Sequence, residues 1–77
     1  MIYIMNKNTN KLLVDDYSFT NKKHRYYYAD DEELKSINSY RDHDARLVKL
    51  PRILFGNKRL NKFIKIHSIP DAILVNK

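Results

Sequence analysis

Apolar residues in this chain come in short clusters separated by polar runs, and their spacing changes from about two to about three and a half along the sequence. Ile2-Tyr3-Ile4-Met5 reads as a first strand. Asn6-Lys7-Asn8-Thr9-Asn10 reads as a turn, because asparagine tolerates left-handed backbone and hydrogen-bonds its own main chain. Lys11-Leu12-Leu13-Val14 returns as a second strand and completes a hairpin, with Asp15-Asp16 marking its exit. Residues 18–23 are polar and loop-like, with Phe19 as an anchor. Arg25-Tyr26-Tyr27-Tyr28-Ala29 is strand-prone.

The clearest local signal is Asp30-Asp31-Glu32-Glu33. Either aspartate can cap a helix N-terminus, and the carboxylates suit the positive end of the helix dipole. Leu34, Ile37 and Tyr40 then form one apolar stripe, which predicts a helix over residues 31–43. Leu47-Val48-Lys49-Leu50 reads as a strand stopped by Pro51. Ile53-Leu54-Phe55 leads into a turn at Gly56-Asn57-Lys58. Leu60, Phe63, Ile64 and His67 share about a third of a helical wheel. Read as a strand, the same stretch puts Leu60, Ile64 and Ile66 on one face and Phe63 on the other. The helical reading is preferred for residues 58–65. Pro70 breaks regular structure, and Ala72-Ile73-Leu74-Val75 is expected as a last strand at the sheet edge. The expected fold is α+β: a small antiparallel sheet with one or two helices, in a single domain over residues 1–77.

Length and composition constrain how such a fold is held. A chain of 77 residues buries a modest core. It has no cysteine, which removes disulfides and thiolate zinc sites as supplements and leaves self-association, so a homodimer is expected. No apolar run approaches the length of a bilayer-crossing helix, and the N-terminus lacks the basic and long apolar regions of a signal peptide.

Charge changes the picture most. The formal net charge is +6. Residues 1–45 hold seven Lys/Arg against eight Asp/Glu, whereas residues 46–77 hold eight against Asp71 alone. A one-sided field of this kind attracts polyanions. Two basic triplets recur at a spacing of three, Arg46/Lys49/Arg52 and Arg59/Lys62/Lys65, with Lys58 beside the second. On a helix that spacing keeps the charges on one broad face; on strands the triplets divide between faces. Lys22, Lys23 and Arg25 add charge beside the three tyrosines, which could stack on unpaired bases. The competing reading places Tyr26 and Tyr28 on one side of a strand and Tyr27 on the other, as ordinary core, and it carries more weight.

Other chemistry is thinly represented. His24, His43 and His67 lie far apart in sequence, and Asp42-His43-Asp44 is explained by solvated helix-end residues, so no metal or cofactor is expected. No nucleophile elbow, zinc-protease motif or phosphate-binding glycine loop occurs, and the chain is read as a non-enzyme. A helix-turn-helix with Gly56 at its turn would carry Pro51 in its first helix. A membrane surface would attract the same charge, but residues 58–67 are short for an interfacial helix.

The usage of Lys, Asn, Ile and Asp, with small size and basic charge, resembles accessory proteins of AT-rich tailed bacteriophages. Within that group the chain resembles the small RNA-binding counter-defence proteins that inhibit the endoribonuclease toxin of type III toxin–antitoxin systems (the TifA kind). That resemblance implies an RNA-binding protein of the host cytoplasm that traps the toxin in an RNA-bridged complex. It assigns no residue. A second, partial resemblance lies in Tyr28-Ala29-Asp30-Asp31-Glu32-Glu33-Leu34 with Ser39-Tyr40-Arg41 and Leu50-Pro51-Arg52-Ile53-Leu54, which is similar to the DNA-binding module beside phage HNH homing endonucleases. Asp42 stands where that module carries a tryptophan, and Pro51 where it carries a histidine. Three roles are therefore weighed: RNA binding through Arg46, Lys49, Arg52, Lys58, Arg59, Lys62, Lys65, Lys22, Lys23 and Arg25; docking of the same basic patch on an acidic host protein; and DNA binding related to the homing-endonuclease module.

Overall fold

A computed structural model of the chain describes residues 1–51 and 58–77, and of Arg59 the backbone alone. The architecture is α+β, a six-stranded antiparallel sheet with two helices. The elements run β1 (Ile2–Asn6), β2 (Leu12–Ser18), β3 (Lys23–Ala29), α1 (Asp31–Asn38), β4 (His43–Leu47), β5 (Lys49–Leu50), α2 (Lys58–Ile66) and β6 (Ala72–Asn76). The expected segment Ile53-Leu54-Phe55 and the turn at Gly56 lie outside the described residues, as does Arg52.

The hairpin of β1 and β2 is opened by a wedge. At its closed end Met5 pairs with Leu12. Beyond that point residues 43–50 lie between the two strands: β4 pairs with β2 over Val14–Ser18, and β5 pairs with Ile2 and Tyr3 of β1. Val48 is the corner, and its N–H donates to the Leu13 carbonyl at 3.0 Å. β3 lines the other side of β2 along seven residues, and β6 lines the other side of β1 along five. The last strand is therefore at the sheet edge, as its sequence suggests.

Local chemistry explains the turns. The Asn6 side chain accepts from the N–H groups of Asn8 (2.8 Å) and Thr9 (3.2 Å), and Asn10 takes a left-handed φ of 61°. In the β2–β3 hairpin, Lys22 takes φ 55° and its N–H donates to Ser18 O at 2.7 Å. α1 opens on a full capping box: Glu33 N–H donates to Asp30 Oδ1 at 2.8 Å, and Asp30 N–H to Glu33 Oε1 at 3.4 Å. The bond from the Glu33 N–H holds the Asp30 carboxyl below its ordinary value. α2 ends in a Schellman arrangement, with Ile69 N–H on Ile64 O (3.0 Å), Ser68 N–H on Lys65 O (3.2 Å) and Ser68 left-handed at φ 51°.

Two predicted boundaries are corrected. Asp15-Asp16 is not an exit, because β2 runs on to Ser18 and both its edges are paired there. The first helix ends at Asn38 rather than His43. The Ser39 hydroxyl takes the Ser36 carbonyl at 2.6 Å, and the Asn38 amide is drawn to Ala45, donating to its carbonyl (2.9 Å) and accepting from its N–H (2.7 Å). Asn38 thus takes the place of a neighbouring strand along β4. Tyr40 falls beyond the helix and is exposed, so the apolar stripe is Leu34 and Ile37 alone.

The sheet is covered on both faces. α2 brings Leu60, Phe63 and Ile64 against Ile4, Leu13, Tyr26, Tyr28 and Ile69. α1 brings Leu34 and Ile37 against Val14, Ala29, Ala45 and Tyr27 on the opposite face. Adjacent residues of β2, Leu13 and Val14, are both fully buried, one in each core.

Two substitutions test this packing by chemical denaturation. Leu13→Ala should cost about 2–5 kcal/mol, a large share of the stability of a domain this small. Asn38→Ala strands the amide and carbonyl of buried Ala45 and should cost about 1–3 kcal/mol. An unchanged midpoint for Asn38→Ala would show that the amide bridge does not hold β4.

Candidate nucleic-acid interface

The pairing register fixes where each basic residue stands, because cross-strand partners share a face and successive residues alternate. On the α2 face, one row across the sheet is Asp44–Tyr17–His24 and the next is Arg46–Asp15–Tyr26. On the α1 face the rows are His43–Ser18–Lys23 and Ala45–Asp16–Arg25. Lys49 pairs with Tyr3, one residue out of phase with the core side chains Ile2 and Ile4, and so lies opposite Arg46. The first basic triplet is thus divided by the sheet in its described members. Arg46 is strongly exposed, its Nε 3.2 Å from Asp44 Oδ1. Lys22 sits in the β2–β3 turn. Lys23 and Arg25 lie on the α1 face, Arg25 with its guanidinium 5.6 Å from the Tyr27 ring centre.

The second cluster is brought together. Lys58, Lys62 and Lys65 fall at i, i+4 and i+7 along α2, which makes one row, and all three are exposed. The opposite side of the helix carries Leu60, Phe63 and Ile64 into the core. Among the described residues none of the three lysines joins an ion pair, whereas Lys11 pairs with Glu33 at 2.6 Å and Lys7 with Asp71 at 4.0 Å.

The tyrosine triplet is part of the packing. Tyr27 donates to Asp16 Oδ2 at 2.7 Å, and burial together with that carboxylate raises its hydroxyl well above the ordinary value. Tyr28 donates to Pro70 O at 2.7 Å, and Tyr26 meets Phe63 edge-on at 5.1 Å between ring centres. Three other rings continue from Tyr26 toward open sheet: His24 lies 6.5 Å from Tyr26, Tyr17 4.8 Å from His24, and exposed Phe19 5.1 Å from Tyr17. Sequence reading passed over Asp15, Tyr17, His24 and Asp44 as an assembly. The period-two pairs Asp15/Tyr17 and His24/Tyr26 were the available signal, hidden by ending the strand at its two aspartates.

A polar node lies on the other face. Asp16 is almost completely buried; His43 Nδ1 lies 2.9 Å from its Oδ1, and the Tyr27 hydroxyl binds its Oδ2. Burial pushes the Asp16 carboxyl up, but the hydrogen bonds from Tyr27 and His43 outweigh it and leave the group below its ordinary value. The same bond to Asp16 raises His43, with Asp42 3.7 Å from its Nε2. Asp42 and His43 thus belong to this node, while Asp44 turns to the opposite face beside Tyr17.

Among the described residues no helix is long and apolar enough to cross a membrane. Compared with known protein families, with curated proteins and with solved structures, the chain matches none.

The node gives stability a pH dependence of definite sign. His43 binds its proton more tightly when folded, so its contribution is complete below its unfolded value of about 6.5 and is lost as pH rises through the higher folded value. Asp16 contributes above its unfolded value near 3.9 and is lost as pH falls through its lower folded value. Urea midpoints across both windows should decline at each end. His43→Gln should flatten the upper decline; a wild-type slope in that variant would dissociate His43 from it.

Proposed function

We propose that this chain binds single-stranded RNA through the lysine row of α2, a phosphate contact that carries no sequence preference of its own. The observation that carries this reading is the row itself: Lys58, Lys62 and Lys65 stand exposed along one side of a helix whose other side is committed to the core. Binding phosphate there leaves the packing of the helix intact. Arg46 adds an exposed cation on the sheet face that α2 packs against. Lys22, Lys23, Arg25 and Lys49 stand elsewhere and contribute to the long-range field rather than to one contact surface. Double-stranded DNA is the weaker fit, because none of Lys58, Lys62 and Lys65 falls in the segments that carry the resemblance to the DNA-binding module. The wider role, trapping a host endoribonuclease on RNA, comes from the resemblance to phage counter-defence proteins; the geometry bears on the RNA alone.

Each phosphate neutralised on a single strand releases about 0.7 counterion, so three lysine contacts should weaken binding roughly 20-fold between 50 and 200 mM salt. Gel shifts or anisotropy across that range measure the slope. Reversing Lys58, Lys62 and Lys65 to glutamate should abolish binding while the circular dichroism spectrum stays unchanged. A salt-independent affinity, or a stoichiometric protein partner that survives ribonuclease in a pull-down, would count against RNA and for docking on an acidic protein.

A further inference from the structure

α2 covers only part of its sheet face. Its contacts reach Tyr26, through Phe63 and through His67 at 4.7 Å between ring centres, and the rows beyond form an open cleft of about 540 Å³ lined by Asp15, Tyr17, His24, Asp44 and Arg46. This lining is unusual for a surface hollow on a basic protein. It offers two aromatic rings, two carboxylates and one guanidinium, and its parts are already oriented. Asp15 Oδ1 lies 2.7 Å from His24 Nδ1, and Asp44 Oδ1 lies 3.2 Å from Arg46 Nε. Among the described residues the second oxygen of each carboxylate has no hydrogen bond. Two carboxylates disfavour a phosphate inside the cleft. They favour a neutral planar group that brings its own N–H donors, and the rings of Tyr17 and His24 favour the same planarity. Arg46, exposed at the rim, can meet the phosphate attached to such a group.

We infer that the cleft takes one unpaired nucleobase carrying an exocyclic amino group. The base lies against Tyr17 and His24, donates its amino protons to Asp44 and Asp15, and leaves its phosphate with Arg46. This inference rests on the RNA reading and deepens it: the lysine row holds any strand, and the cleft prefers cytosine, adenine or guanine to uracil, which has no amino group to donate. Tyr17–His24–Tyr26–Phe63 forms a continuous run of rings from the cleft to the helix that carries the lysines, so one strand can engage both.

The test compares ten-nucleotide cytidine and uridine RNAs by anisotropy at low salt. The cytidine strand should bind roughly tenfold more tightly. Asp44→Ala and Tyr17→Leu should bring that ratio toward one, and the triple lysine-to-glutamate variant should abolish binding of both strands. The ratio within one variant does not depend on its folded fraction, so partial unfolding cannot mimic the result. Equal affinity of the two strands for the wild-type chain, or a ratio that Asp44→Ala leaves unchanged, overturns the cleft while the RNA reading stands on the lysine variant. If neither strand binds, the RNA reading falls, and nucleoside titration followed by NMR decides the cleft. Ring-proton shifts of Tyr17 and His24 with cytidine but not uridine sustain it; none with either overturns it.

Discussion

Strand β2 is the constraint on which this structure turns. It is hydrogen-bonded along both edges, to β3 on one side and to the β1–β4 composite on the other. It is also packed on both faces, Leu13 under α2 and Val14 under α1. A strand in that position has no exposed side over its first half, which is why it opens with three consecutive apolar residues rather than an alternating pattern. Both helices depend on it, because the apolar side of each packs on the face of the sheet that β2 anchors. A short chain thereby builds two small cores around one strand in place of the single larger core that its length would not fill.

The second half of β2 meets a different environment with different chemistry. Past Val14 the sheet outruns α2 while α1 still covers the other face, and the alternation that directed Leu13 and Val14 apart now directs Asp15 and Asp16 apart. Asp16 goes to the covered side and needs its two partners, Tyr27 and His43, to remain charged there. Asp15 goes to the open side and fixes His24. One acidic pair therefore supplies an internal clamp on one face and part of the lining of an open cleft on the other. The basic charge is deployed separately, most coherently along α2, where Lys58, Lys62 and Lys65 form one exposed row.

How much of this could be read from the chain follows from the range of the forces involved. The capping box at Asp30, the asparagine turn after β1, the lysine-bearing helix and the final strand are set by neighbours within a few residues, and each is visible in the sequence. The strand reading of the three tyrosines also holds, because period-two alternation is a local property. The insertion of residues 43–50 between β1 and β2 was not legible, since it depends on pairings about twenty-five to fifty residues apart. The ending of α1 failed for a related reason: Asn38 leaves the helix for Ala45, a partner that exists only once β4 has docked. The division of Arg46 from Lys49 was foreseen as the outcome if that stretch formed strands. The aromatic and acidic grid was missed because paired aspartates resemble a strand end unless both faces of the strand are considered.

Among the described residues four with side chains, Asn10, Lys22, Ser68 and Asp71, occupy left-handed backbone positions where glycine is the usual choice, in a chain that contains one glycine. A Cβ at such a position costs roughly 1–2 kcal/mol in the native state, yet it also narrows the conformations open to the denatured chain. The turns are thus stiff hinges rather than loose ones. For the hairpin that turns at Lys22, stiffness means that Tyr17 and His24 face each other at a set distance before any ligand arrives. Little ordering entropy is then left to be lost on binding, and even a shallow cleft can retain most of the interaction it makes.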